Sequence, residues 1–153
     1  LRTRGGFIAP LRTPGTPSGE GNGDSVAVSD YDRDGRVDVF VTNGYFHSRG
    51  VHQLLENGSR TAGWIGLDLV GTPRNPEAIG ARIHIRTRTR RYWRQTNDGV
   101  NFRSQSEVGY VHLGIAANRG THLKVTWPDG RVDCVWARAD AVKRLKFGSA
   151  PCD

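Results

Sequence analysis

The strongest chemical signal lies in nine consecutive residues, Asp30-Tyr31-Asp32-Arg33-Asp34-Gly35-Arg36-Val37-Asp38, which read D-x-D-x-D-G-x-x-D. When such a loop curls, the carboxylates of Asp30, Asp32 and Asp34 converge. Gly35 permits the sharp turn, Arg36 offers its backbone carbonyl, and Asp38 closes the shell. Hard oxygen ligands in this number suit Ca²⁺. Four carboxylates held so close repel one another unless a cation lies between them.

The pattern shares its first half with the EF-hand loop, but Val41 stands where that loop carries its closing Glu. The flanks are β-rich, so the expected arrangement is strand, calcium loop, strand, with the Arg33 and Arg36 side chains able to point outward. The plainer alternative is an acidic turn without metal.

No comparable signal points to catalysis. His47, His52, His84, His112 and His122 are scattered, and no HExxH, GxSxG or phosphate-loop motif occurs. A carboxylate pair could be drawn from Glu77, Asp98 or Glu107, but nothing singles these out. The sequence therefore reads as a non-enzyme.

Cys134 and Cys152 lie 18 apart with no CxxC partner or nearby His pair, which argues against zinc. A disulfide pinning the C-terminal segment is the preferred reading, and it implies an oxidising, extracytoplasmic compartment. Two unpaired thiols are the alternative.

A basic stretch follows from residue 82 to 94, with Arg82, Arg86, Arg88, Arg90, Arg91 and Arg94 beside His84, Tyr92 and Trp93. On one strand, Arg82, His84, Arg86, Arg88 and Arg90 share a face. The row would span roughly 27 Å at about 3.3 Å per residue. Such a row, with Arg94, fits a linear polyanion or an acidic protein surface, while Tyr92 and Trp93 could stack on sugars or bases. The alternative is the solvated face of an edge strand, where charge blocks aggregation. The formal charge of +7, with 22 basic against 15 acidic residues, agrees with anionic partners.

These groups must be positioned by short strands. The 153 residues suffice for one ordinary domain or a small domain with an appended element. No apolar run is long enough to span a membrane as a helix. A chain beginning at Leu1 with no Met reads as a mature or trimmed product. Residues 1–23, nine of them Gly or Pro, read as an extended arm, ordered only by lying on another chain. Strands are expected at 25–29, 37–42, 51–56, 64–70, 80–94, 108–113, 122–127, 131–136 and 142–147, with at most one helical turn at 138–143. Asn57-Gly58 and Pro128-Asp129-Gly130 are turn signals. Asn57-Gly58-Ser59 is also a glycosylation acceptor tripeptide in a secreted eukaryotic protein. Trp64, Ile65, Leu67, Leu69, Ile83, Ile85, Leu113, Val125 and Trp127 should form the core.

Residues 25–44, SVAVSDYDRDGRVDVFVTNG, resemble an FG-GAP/VCBS repeat, the calcium-binding blade of integrin-α-like propellers. The stretch from Gly63 to about Val135 resembles an ASPIC/UnbV domain. It does so through residues 63–72 (GWIGLDLVGT), Asn75, residues 78–83 (AIGARI), residues 111–114 (VHLG) and residues 125–130 (VTWPDG). Members of this architecture carry several FG-GAP repeats, whereas one stands here.

The resemblance implies an all-β chain. It would hold an extended arm at 1–23, a calcium-binding repeat at 24–62, a sandwich or barrel-like β domain at 63–148, and a tail at 149–153. It also implies an extracellular or periplasmic interaction module, with Ca²⁺ in a structural role. The expected partner is a protein or an acidic glycan, with nucleic acid ranked behind both and a membrane surface reached only through a complex. The rival reading is a structural or accessory subunit of a larger extracytoplasmic assembly. A second rival is an enzyme of unknown type.

Overall fold

A computed structural model describes residues 8–11, 23–43, 52–58, 63–86, 91–97, 100–101, 104–105, 109–115 and 119–152. The described residues are all-β, with no helix. The chain divides into two compact units. The first comprises Leu1–Arg60 with Gly99–Ser106, and the second Thr61–Asp98 with Glu107–Asp153.

The second unit is a two-sheet sandwich. One sheet places β5 (Trp64–Val70) between β10 (Tyr110–Gly114), antiparallel, and β13 (Ala141–Lys146), parallel. The other is fully antiparallel, in the order β12 (Val132–Arg138), β11 (Gly120–Thr126), β6 (Arg82–Arg86), β7 (Arg91–Gln95). The period-2 pattern of each strand turns its apolar set inward. Ile65, Leu67 and Leu69 face Ile83, Ile85, Leu123 and Val125 in one core, joined by Leu113, Leu145 and Trp127. Trp64 is buried although it lies off the Ile65/Leu67/Leu69 face, and it stacks on His112 at 5.7 Å. Gly66 lets the Tyr110 ring lie against the backbone of β5, where any Cβ would collide with it.

The stretch 80–94 is not one strand. β6 ends at Arg86 and β7 begins at Arg91, and the two pair antiparallel with Arg86 opposite Arg91. Folding back brings Tyr92 beside Ile85 on the core side, which a single straight strand could not do. The segment 138–143, where at most one helical turn was allowed, holds no helix. Its residues belong to the end of β12, a two-residue turn at Ala139-Asp140, and the start of β13. Asp140 has φ 56° and both donates to and accepts from the Trp64 backbone.

The first unit is a four-stranded antiparallel sheet in the order β1 (Ile8–Leu11), β4 (Gln53–Asn57), β3 (Asp38–Asn43), β2 (Gly23–Ser29). A two-residue hairpin, β8 (Val100–Asn101) with β9 (Ser104–Gln105), belongs to the same unit. β1 lies within the arm expected to order only on another chain. It pairs instead with β4 of its own chain, Ile8 opposite Asn57 and Leu11 opposite Leu54. Pro10 is tolerated there because β1 is an edge strand, whose outer N–H side needs no partner. The rest of the arm lies outside the described residues.

Candidate functional site

The acidic loop joins β2 to β3 and so hangs from one end of a hairpin whose register is fixed from Ser29–Asp38 to Ser25–Thr42. Arg33 and Gly35 take left-handed conformations, φ 61° and 89°, which curl the chain. Gly35 N–H donates to Asp30 Oδ2 at 3.0 Å, Asp34 N–H to Asp32 Oδ1 at 3.1 Å, and Arg36 N–H to Asp34 Oδ1 at 2.8 Å. Carboxylate oxygens of Asp30, Asp32 and Asp38 lie within 4.8 Å of one another. Asp30, Asp32 and Asp38 thus come together, while Asp34, expected in the same shell, groups instead with Asp32 and Glu56.

Asp38 is 2% exposed. Its Oδ1 accepts the Asn57 N–H at 2.8 Å, while Oδ2 is buried with no hydrogen-bond partner among the described residues. A buried carboxylate oxygen left in that state costs free energy unless a cation meets it. That atom, with the converging carboxylates, fits a hard divalent ion.

Two features went unforeseen. Glu56 on β4 brings its carboxylate within 4.8 Å of those of Asp32 and Asp34. It stands 22 positions from Asp34, and only the β3–β4 pairing brings it back, so no local spacing could have found it. Arg36, whose side chain was free to point outward, places its guanidinium on Asp34. Asn57, read as a tight-turn residue, closes β4, and its side-chain amide donates to Val37 O at 3.1 Å, tying β4 to the loop.

The basic stretch is rearranged by the β6–β7 hairpin. Arg82, His84 and Arg86 are exposed on the outer face of the sheet, as expected. Arg88 and Arg90 lie outside the described residues. Arg94 does not join the row. It pairs with Ile83, so it stands on the core side of the edge strand, over the Tyr92 ring at 5.8 Å. The outer face gains Arg91 and Trp93 from β7, His122 and Lys124 from β11, and Trp136 from β12. Cross-strand registers line up Cys134, Lys124, His84 and Trp93 in one row, with His122 opposite Trp136 in the next. A single-strand reading could not see this row, because it runs across strands.

Cys134 and Cys152 form a disulfide with an S–S distance of 2.04 Å. Beside it, the Trp127–Gly130 turn closes through Gly130 N–H to Trp127 O at 2.9 Å, with Gly130 at φ 89°. Asn75 clamps the segment before β6 by a reciprocal pair of 3.0 Å bonds with the Ile79 backbone. Thr96 is buried and holds Ala78 and Ala81 through its hydroxyl. Of the carboxylates considered for catalysis, Glu77 is exposed, and Asp98 and Glu107 lie outside the described residues. His52 Nδ1 accepts the Asn43 N–H, and His47 lies outside the described residues.

Residues 71–149, a stretch that includes the Asn75 clamp and the Trp127 turn and runs past β13, match the family described as ASPIC and UnbV, and the chain belongs to that family. It is also similar to cartilage acidic protein 1 of Xenopus tropicalis, 24% identical over 127 residues, and to those of Mus musculus and Homo sapiens, each 25% identical over 114 residues. These matches cover 82%, 74% and 74% of this chain but only 19%, 17% and 17% of the relatives. The chain therefore spans under a fifth of the length of these relatives. No solved structure matches it.

Proposed function

We propose that this chain is a calcium-stabilised extracellular interaction module without catalytic activity, its metal structural and its working surface the outer face of β12-β11-β6-β7. The observation that carries the reading is two large aromatic side chains held in the open, Trp93 at 57% and Trp136 at 49% exposure, on a sheet face of cationic side chains. Large exposed aromatics among Arg side chains are what recognition surfaces concentrate. The disulfide supports an oxidising compartment. For the metal, support comes from the buried Asp38 Oδ2 amid converging carboxylates. When bound, Ca²⁺ would supply charge neutralisation. The loop's own residues would hold it through Asp30, Asp32, Asp34 and Asp38, with the Arg36 carbonyl and Glu56 at the margin. The first unit is then an FG-GAP/VCBS-like blade.

A second reading, as a subunit of a larger assembly, is favoured by Val26, Val28 and Phe40, which expose apolar surface on β2 and β3.

The test crosslinks wild type and a Trp93→Ala/Trp136→Ala variant to extracellular fluid from the source, in calcium and in EGTA. Capture lost in the variant supports the module. Equal capture by both proteins rejects the face as the working surface. A melting curve indifferent to EGTA, from a verified calcium-loaded sample, rejects the metal.

A further inference from the structure

The outer face of β12-β11-β6-β7 has an unusual charge pattern. Its outward side chains include five permanent cations, Arg82, Arg86, Arg91, Lys124 and Arg138, and no carboxylate. The single acidic side chain of these four strands, Asp133, is turned inward and is 1% exposed. Among the described residues, none of the five cations pairs with a carboxylate. Arg82 alone finds a polar neighbour, Gln95 Oε1 at 3.4 Å.

The arrangement costs stability. Arg86 and Arg91 stand directly opposite in the register, and like charges in that position repel. Nothing in the sandwich core requires these residues to be basic, so the fold tolerates a repulsion that a bound polyanion would relieve.

The aromatics are placed with equal regularity. Trp136 and Trp93 lie on the two edge strands, three inter-strand spacings of about 4.8 Å and two residues of about 3.3 Å apart, so roughly 16 Å. The His122 ring packs edge-on against Trp136 at 5.0 Å and 64°, which limits that indole's rotation. On this face Trp93 and the cations Arg86, Arg91 and Lys124 line a hollow of about 460 Å³ that also takes in Cys134 and the apolar Leu123; Trp136 stands outside its lining.

We infer that this face binds a linear acidic polysaccharide laid across the strands. The inference rests on the interaction-module reading and names its partner class. Sugar rings present an apolar C–H face and a hydroxylated rim, which suits a half-exposed indole with its apolar body and polar tip. The two indoles are too far apart for one sugar ring but within reach of a chain. The cations between them meet carboxylate or sulfate groups carried along the polymer.

A protein partner fits less well. Protein interfaces are depleted of charge at their core, and their hot spots cluster at the centre. Here the centre is cationic and the aromatics are marginal. Nucleic acid would satisfy the charge, but the disulfide on this face, at Cys134, places it in an oxidising compartment.

The test is titration, followed by indole fluorescence, with heparin, hyaluronate, neutral dextran and single-stranded oligothymidylate at matched salt. Heparin or hyaluronate should bind, and dextran should not. Trp93→Ala/Trp136→Ala, which leaves the net charge unchanged, should weaken binding at least tenfold. Because this variant lacks two reporters, its affinity is read by calorimetry. Arg86→Ser/Arg91→Ser/Lys124→Ser should also weaken it at least tenfold. Arg74→Ser/Lys143→Ser/Lys146→Ser removes the same charge from exposed sites outside this sheet and should cost less than threefold. All variants are first shown to melt as wild type does.

Equal losses from the two charge triples, or none from the tryptophan pair, overturn the proposal in favour of unspecific attraction. Tighter binding of oligothymidylate through the same residues overturns it in favour of nucleic acid. If neither polysaccharide binds while the tryptophan variant still loses capture from extracellular fluid, the glycan is rejected and the module reading survives.

Discussion

The Trp127 indole N–H donates to Asp133 Oδ2 at 2.8 Å, and both residues are buried. The same carboxylate accepts Gly148 N–H at 2.9 Å through Oδ2 and Ala150 N–H at 3.3 Å through Oδ1. One side chain thus ties the Trp127–Gly130 turn to the segment after β13. The Trp127 ring meets Phe147 edge-on at 5.3 Å, and the Arg131 guanidinium lies over Phe147 at 5.0 Å.

Asp133→Ala should therefore strip three donors of their acceptor at once. Only the Trp127 donor is fully buried, Gly148 being exposed and Ala150 half-buried, so a loss of about 1–3 kcal/mol is expected in urea unfolding. Trp127→Phe keeps most of the packing and loses one bond, and should cost about 1–2 kcal/mol. Trp127→Ala also opens a cavity and should cost about 3–5 kcal/mol. A loss below about 1 kcal/mol for Trp127→Ala would falsify the assignment of this ring to the core.

Calcium should raise the melting temperature of the first unit in proportion to the logarithm of its free concentration. At 100 times the dissociation constant, binding to the native state alone contributes about 2.7 kcal/mol. Asp32→Ala should abolish the shift, and Asp38→Asn should weaken it while sparing the fold. Melting followed across a calcium–EGTA series decides the matter; a flat series sinks it.

Glu56→Gln should change sign with the metal. Without calcium it removes one of three crowded carboxylates, so the protein should melt slightly higher than wild type. With calcium the variant should gain less from the ion, and the two melting series should cross. Parallel series would show that Glu56 takes no part.

Cys134→Ser/Cys152→Ser should cost about 3 kcal/mol, because the bridge spans 18 positions and restricts the unfolded chain. Non-reducing mass spectrometry of the wild type checks the bond directly. Two alkylatable thiols in the native protein would contradict it.

Much of this was legible in the sequence, for identifiable reasons. The approach of Asp30, Asp32 and Asp38 was legible because they are near neighbours in the loop, whereas Asp34 groups with Asp32 and Glu56. The inward residues of β5, β6 and β11 follow from alternation alone. What stayed hidden depends on pairing between distant strands. Glu56 reaches the loop only because β4 lies on β3. Arg94 leaves the cationic row because β7 folds back on β6, and Trp136 enters the face because β12 pairs with β11. The role of Asp133 was hidden too, since Val132, Asp133 and Cys134 read as an ordinary strand until the segment after β13 returns to cover them.

The parallel pairing of β5 with β13 has a temporal meaning. The Trp64 N–H reaches Asp140, 76 positions later. At about 5–20 residues per second of synthesis, one edge of β5 waits roughly 4–15 s before its parallel neighbour exists. During that interval β5 keeps an open strand edge, the kind of surface that recruits other nascent chains. Production of this protein should therefore depend on a holdase that covers β5, and on how fast the ribosome delivers residues 71–140, more than on the final stability of the sandwich.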